Sequence, residues 1–154
     1  MPIRNYTSKT TAASSAGQMQ DLLGRNGASR ISLDYEAGQV VAVSFMMRIP
    51  GPNGVERPTW FRIAPDPAGM LNALRKDPGV PAGKCTMSQA ERTAWKNKLD
   101  WLDAQLAEVA AGQARIEQLL LGYVLTDDGR PVYERLVETR TMFGGDHPPV
   151  LPAG

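Results

Sequence analysis

With a single histidine, His147, and a single cysteine, Cys85, among 154 residues, the chain cannot build a zinc site from Cys and His ligands alone, a disulfide framework or a CxxC redox pair. A histidine-dependent nucleophile–base pair would rest on His147, in a Pro/Gly-rich stretch poorly suited to holding an imidazole rigid. No apolar run approaches about 18 residues, and Met1 is not followed by a basic stretch and an apolar core. Neither a transmembrane helix nor a secretory signal is expected. Composition therefore favours a cytoplasmic protein with no cofactor, no metal and no membrane partner, and it disfavours the commonest catalytic designs.

What is present is a chain of one-domain length, 42% hydrophobic, with 15 Gly and 12 Pro. Such a chain buries roughly two-thirds of the surface it exposes when unfolded. Its 17 Lys and Arg nearly balance 16 Asp and Glu, but not evenly along the sequence. Residues 1–100 hold 13 basic and 8 acidic side chains, and residues 101–154 hold 4 and 8. Such a split suggests a surface that tolerates an anion, although scattered surface charge would give the same counts.

Periodicity predicts an α+β domain over 1–142 and a flexible Pro/Gly-rich tail over 143–154. Residues up to Thr11 read as an edge strand or an extended arm. Ser15 and Gln18 have capping-box spacing before Met19, Leu22 and Leu23, with Gly27 at the closing position, so a short helix over about 15–26 is expected. Ile31, Leu33 and Tyr35 alternate, as do Val41, Val43, Phe45 and Met47 beyond an Ala37–Gly38 turn, which predicts a β-hairpin. A turn rich in Pro and Gly leads to a third strand over about 55–64, completing a three-stranded antiparallel meander. Pro58 confines that strand to an edge, or starts it later. Alternation puts Trp60 and Arg62 on one face and Phe61 and Ile63 on the other, one of which must be core.

The remainder reads as helical. Asp66 and Pro67 suit the start of a short helix. Ser88 and Glu91 have capping-box spacing ahead of Trp95, Leu99, Leu102, Leu106 and Val109, a stripe that predicts one long helix ending near Gly112. Residues 113–124 read as a further helix, either separate or continuous through a kink at Gly112. Pro131 opens a final short one.

Two stretches, Pro2-Ile-Arg-Asn-Tyr-Thr-Ser8 and Ala94-Trp-Lys-Asn-Lys-Leu-Asp-Trp-Leu-Asp-Ala-Gln-Leu106 with the later Leu121–Leu136, resemble a set of small, functionally uncharacterised proteins of phage, prophage and other mobile bacterial DNA. The similarity covers about a quarter of the chain and extends to its size and order of elements. It implies a setting in a bacterial host cell and transfers no functional residues. The succession of helix, meander and helix also loosely resembles the strand-annealing recombinases.

Four features carry candidate chemistry. Arg48, Arg57, Trp60 and Arg62 combine phosphate-neutralising groups with a ring that can stack a base, as in proteins that hold single-stranded nucleic acid. The competing reading is a core Trp60 with arginines that protect an edge strand. Arg92 and Lys96, basic residues near the start of the long helix where the macrodipole disfavours them, are candidates to extend the same surface, or else belong to a solvated face of weak ion pairs. Trp101 and Lys98 fall at the flank of the apolar stripe and are candidate partner-binding residues. The stripe's spacing also suits a coiled-coil seam, hence a homodimer through 88–111, with packing inside one domain as the alternative. Asp100 with Asp103, and Asp127-Asp128-Gly129, are the carboxylate pairs available for catalysis. The first lacks a perturbing environment, and the second lacks the ligand spacing of a calcium loop and reads as a turn. Cys85 beside Lys84 has no base to serve it, so no catalytic residue is expected.

The sequence thus favours a non-enzymatic phage or mobile-element accessory protein that binds single-stranded nucleic acid in recombination or replication. The competing expectation is a phage-encoded inhibitor, an anti-defence interaction protein that binds a host protein or a signalling nucleotide.

Overall fold

The computed structural model describes residues 1–140 together with Asp146 and Pro152. The tail expected over 143–154, His147 included, falls outside the described residues but for those two positions. The element order is α1 Ala12–Arg25, β1 Arg30–Glu36, β2 Gln39–Pro50, β3 Glu56–Ile63, α2 Pro67–Lys76, α3 Met87–Ala110, α4 Ile116–Leu119 and α5 Val132–Glu138, with 3-10 turns at Ala82–Lys84 and Leu121–Tyr123. This is the α+β arrangement of N-terminal helix, antiparallel meander in the order β1-β2-β3, and helical C-terminal half that the periodicity predicts.

Cap chemistry sets the helix boundaries, and in two places it selects a different residue from the expected one. Helix α1 starts at Ala12 because the Thr11 hydroxyl accepts the Ser14 N–H at 3.1 Å, which leaves Ser15 buried within the helix rather than capping it. Helix α3 starts at Met87, since Thr86 Oγ1 accepts from the Gln89 N–H at 3.1 Å, while Ser88 Oγ accepts from Arg92. In both cases a threonine lying upstream supplies the same oxygen and lengthens the helix. The other ends follow expectation. Asp66 accepts from the Gly69 N–H ahead of Pro67. Gly112, at φ +72°, ends α3, with the Gln113 N–H bonded to Glu108 O at 3.0 Å. A left-handed residue of that kind closes a helix instead of kinking it. Beyond it, 113–124 is not one helix. A single short α4 and a 3-10 turn bring Val124 alongside β3, where it forms a bridge with Phe61.

The sheet has an inner and an outer face. Ile31, Leu33, Val43, Phe45, Met47, Phe61 and Ile63 point inward to Ala16, Met19 and Leu23 of α1 and Trp95, Leu99, Leu102 and Leu106 of α3. Phe45 and Phe61, directly opposed across β2 and β3, stack with ring centroids 4.9 Å apart. One register shift after Asp34 leaves Val41 without a partner and lets both Val40 and Val43 reach the core, the effect of a bulge on side-chain alternation. Pro58 lies in β3 opposite Arg48, on an edge strand where its missing N–H costs no ladder bond. The N-terminal arm is neither strand nor free. Ile3 N donates to Asp77, the Thr93 hydroxyl to Asn5 O, and the Gln89 amide to Ser8 O, which sew the arm to α3 and the end of α2.

Candidate nucleic-acid interface

Because residues opposed in an antiparallel pair share a face, the register defines the outer surface of the sheet. One row runs Arg30, Met46, Trp60 and the next Ser32, Ser44, Arg62, with Arg48 opposite Pro58 toward the far end. Arg30, Ser32 and Arg48 are exposed, Trp60 and Arg62 are half-buried, and Met46 is buried between its cross-strand neighbours. The inner face carries Phe61 and Ile63, so Trp60 is not a core residue. Three guanidinium groups therefore surround one indole and one thioether.

Three acids temper this surface: Asp34, Glu56, and the exposed Glu36, which shares the parity of Asp34 at the hairpin end of β1, opposite Gln39. Asp34 accepts from Arg62 Nε at 3.2 Å, with both side chains about two-fifths exposed, at 40% and 39%. Glu56 follows the parity of Trp60 but stands at the turn end of β3, opposite Pro50.

The structure does not bring all the expected residues together. Arg57 has the parity of Phe61 and opposes Ile49, so it projects on the opposite face from Trp60. Arg92 and Lys96 belong to the helical layer. Arg92 donates to Ser88 Oγ at 2.7 Å and Gln89 Oε1 at 2.8 Å. Lys96 pairs with Asp100 at 3.0 Å in a groove shared with Asp21 and Arg25 of α1. Conversely, Arg30 joins the surface although only the strand register reveals it.

Beside β3, the segment that continues from the 3-10 turn builds a cleft. Leu125 N donates to Trp60 O at 2.8 Å, and the cleft, about 590 Å³, is lined by Arg62, Lys98, Tyr123, Leu125, Tyr133 and Glu134 among others. Lys98 Nζ donates to Tyr123 Oη at 2.7 Å and sits 5.0 Å and 5.1 Å from the ring centroids of Trp101 and Tyr123. Trp101 and Tyr123 rings meet at 5.2 Å. Both flank residues of the long helix are thus engaged within the chain, with Trp101 half-buried and also lining a second groove between α2 and α3.

The apolar stripe of α3, Trp95, Leu99, Leu102 and Leu106, is at most 4% exposed. It packs into the core and leaves no seam there for a coiled coil.

The carboxylates are held in ways that suit structure. Burial pushes the Asp100 carboxyl up, but hydrogen bonds from Asn5 and Lys96 and the nearby Lys96 and Arg4 charges outweigh it, so its pKa falls below the ordinary 3.8. A general acid needs the opposite shift. Asp103 is exposed. Asp128, in a tight turn closed by Gly129 N to Thr126 O at 2.8 Å, accepts from the Thr126 hydroxyl, which lowers its pKa. Arg130 binds Glu134 and Glu138, and Arg135 binds Asp128, across the same turn. Cys85 Sγ contacts Pro81 O at 3.7 Å. Comparison with protein-family models, curated proteins and solved structures finds no match to this chain.

Proposed function

We propose that this chain is a non-enzymatic accessory protein of a phage or mobile element that binds single-stranded nucleic acid, in recombination or replication, through the outer face of its sheet. The observation that carries the reading is the shared face of Arg30, Arg48, Trp60 and Arg62. Guanidinium groups neutralise phosphates, and an indole on a strand offers a sequence-tolerant platform for a base, worth about 1–3 kcal/mol per stacked base. The mobile-element setting rests on the resemblance of 2–8, 94–106 and 121–136. Among the described residues no helix is long and apolar enough to cross a membrane.

Fluorescence anisotropy of a labelled oligothymidylate at low salt tests the reading. Micromolar binding is expected, weakened by Trp60→Ala roughly 5- to 150-fold, the range that loss of one stacked base implies. Absence of binding to single- and double-stranded DNA and RNA under these conditions refutes it.

One observation favours the second reading, an anti-defence interaction protein. The groove between α2 and α3, about 460 Å³, is lined by Pro65, Met70, Ala73 and Trp101, with Lys98 and Asp66 as its charged groups. A mostly apolar groove with one charge of each sign suits a protein side chain. A stoichiometric host protein retained after nuclease treatment, and lost on Trp101→Ala, supports this reading over the first.

A further inference from the structure

Resting on the sheet-face reading, we propose that the cleft beside β3 binds a nucleotide phosphomonoester, either the phosphorylated end of a strand lying on the outer face or a free mononucleotide. Its volume of about 590 Å³ falls within the size of small-ligand sites, roughly 300–1,000 Å³. Arg62 belongs both to the outer face and to the cleft wall, which makes the two surfaces continuous.

The charges in the cleft favour an anion. Lys98 has no carboxylate within ion-pair distance among the described residues. Its ammonium donates one hydrogen bond, to Tyr123 Oη at 2.7 Å, which leaves two protons to give and leaves the phenol its own proton. Arg62 uses Nε on Asp34 at 3.2 Å, so its terminal amino groups remain available. The acid in the lining, Glu134, is engaged by Arg130 Nε at 3.1 Å.

A phosphodiester carries one negative charge, whereas a phosphomonoester carries about 1.5 to 2 at neutral pH. Two cations and a phenol proton in one concave site therefore discriminate for the monoester. Tyr123 and the half-exposed Tyr133 supply ring surfaces for the attached sugar or base.

The test compares oligothymidylates ending in a 5′-phosphate, a 3′-phosphate or hydroxyls only, by anisotropy, with thymidine monophosphate measured by calorimetry. One phosphorylated end is expected to bind roughly tenfold tighter than the hydroxyl-ended strand, as one or two charge-assisted hydrogen bonds imply. Lys98→Met removes that preference and leaves hydroxyl-ended binding unchanged, while Trp60→Ala weakens all three strands together and keeps it. Tyr123→Phe, which removes the phenol proton and keeps the ring, gives a second route to a reduced preference should Lys98→Met fail to fold.

Oligonucleotides that bind without any preference for a phosphorylated end, and no binding of thymidine monophosphate, overturn the cleft and leave the sheet-face reading standing. A preference that survives both cleft variants also overturns it. Lys98-dependent binding of thymidine monophosphate with no oligonucleotide binding supports the cleft as a free-nucleotide site and overturns the sheet-face reading. No binding of any probe overturns both.

Discussion

Asp100 is held by three residues from two parts of the chain: Arg4 at 3.4 Å and Asn5 at 3.0 Å from the N-terminal arm, and Lys96 one turn before it on α3. These contacts place it in the joint between arm and helix. Its folded pKa is lowered, so the stability it supplies is present above the ordinary value of 3.8 and is lost as pH falls through the lower folded one. Asp100→Asn is expected to cost about 1 kcal/mol at neutral pH, since the contacts are partly solvated. Its urea-unfolding stability should also fall less steeply than that of the wild type in acid, and equal slopes for the two proteins would contradict this assignment. Trp60 illustrates what a residue number alone leaves open. Alternation separates it from Phe61, but nothing in the alternation says which of the two faces the helices cover.

Elements show more clearly what the sequence carries. The hairpin, the third strand, the Asp66–Pro67 start and the Gly112 stop were legible because each is set by residues close in sequence. The helix starts at Ala12 and Met87 are not legible in the sequence because threonine and serine offer chemically equivalent caps, and tertiary packing chooses between them. The larger departure is at 113–124, where apolar spacing predicts a full helix and the chain forms a short helix and a 3-10 turn. Those apolar residues instead serve two ends: Leu120 is fully buried in the core, and Val124 pairs with β3. That local departure is what brings Tyr123 to the cleft, and strand register, a nonlocal property, is what brings Arg30 to the outer face.

The same packing gives a contrast for measurement. Leu102 on α3 is fully buried and Leu121 is 49% exposed. Leu102→Ala is expected to destabilise by about 2–5 kcal/mol and Leu121→Ala by less than about 0.5 kcal/mol in chemical denaturation. Comparable losses would mean that α3 does not carry the core.

At the scale of the molecule, the near-neutral charge resolves into regions. Acids of the C-terminal portion, Asp128, Glu134 and Glu138, are matched to Arg130 and Arg135 within their own turn and helix. On the outer sheet face three arginines meet one paired aspartate, with Glu36 and Glu56 at the two turn ends of its strands. If those three arginines each neutralise one phosphate of a single strand, the logarithm of affinity should fall with the logarithm of salt at a slope near −2. A slope near zero would mean binding without phosphate contact.

Amide chemical-shift mapping with an unlabelled oligothymidylate tests most directly whether nucleic acid lies on the outer face of the sheet, as proposed. The expected result is perturbation of the Trp60 indole and of amides at Arg30, Ser44, Arg48 and Arg62, with α1 and α2 unmoved. Shifts centred on α1 or α2, or none at saturating oligonucleotide, would contradict it.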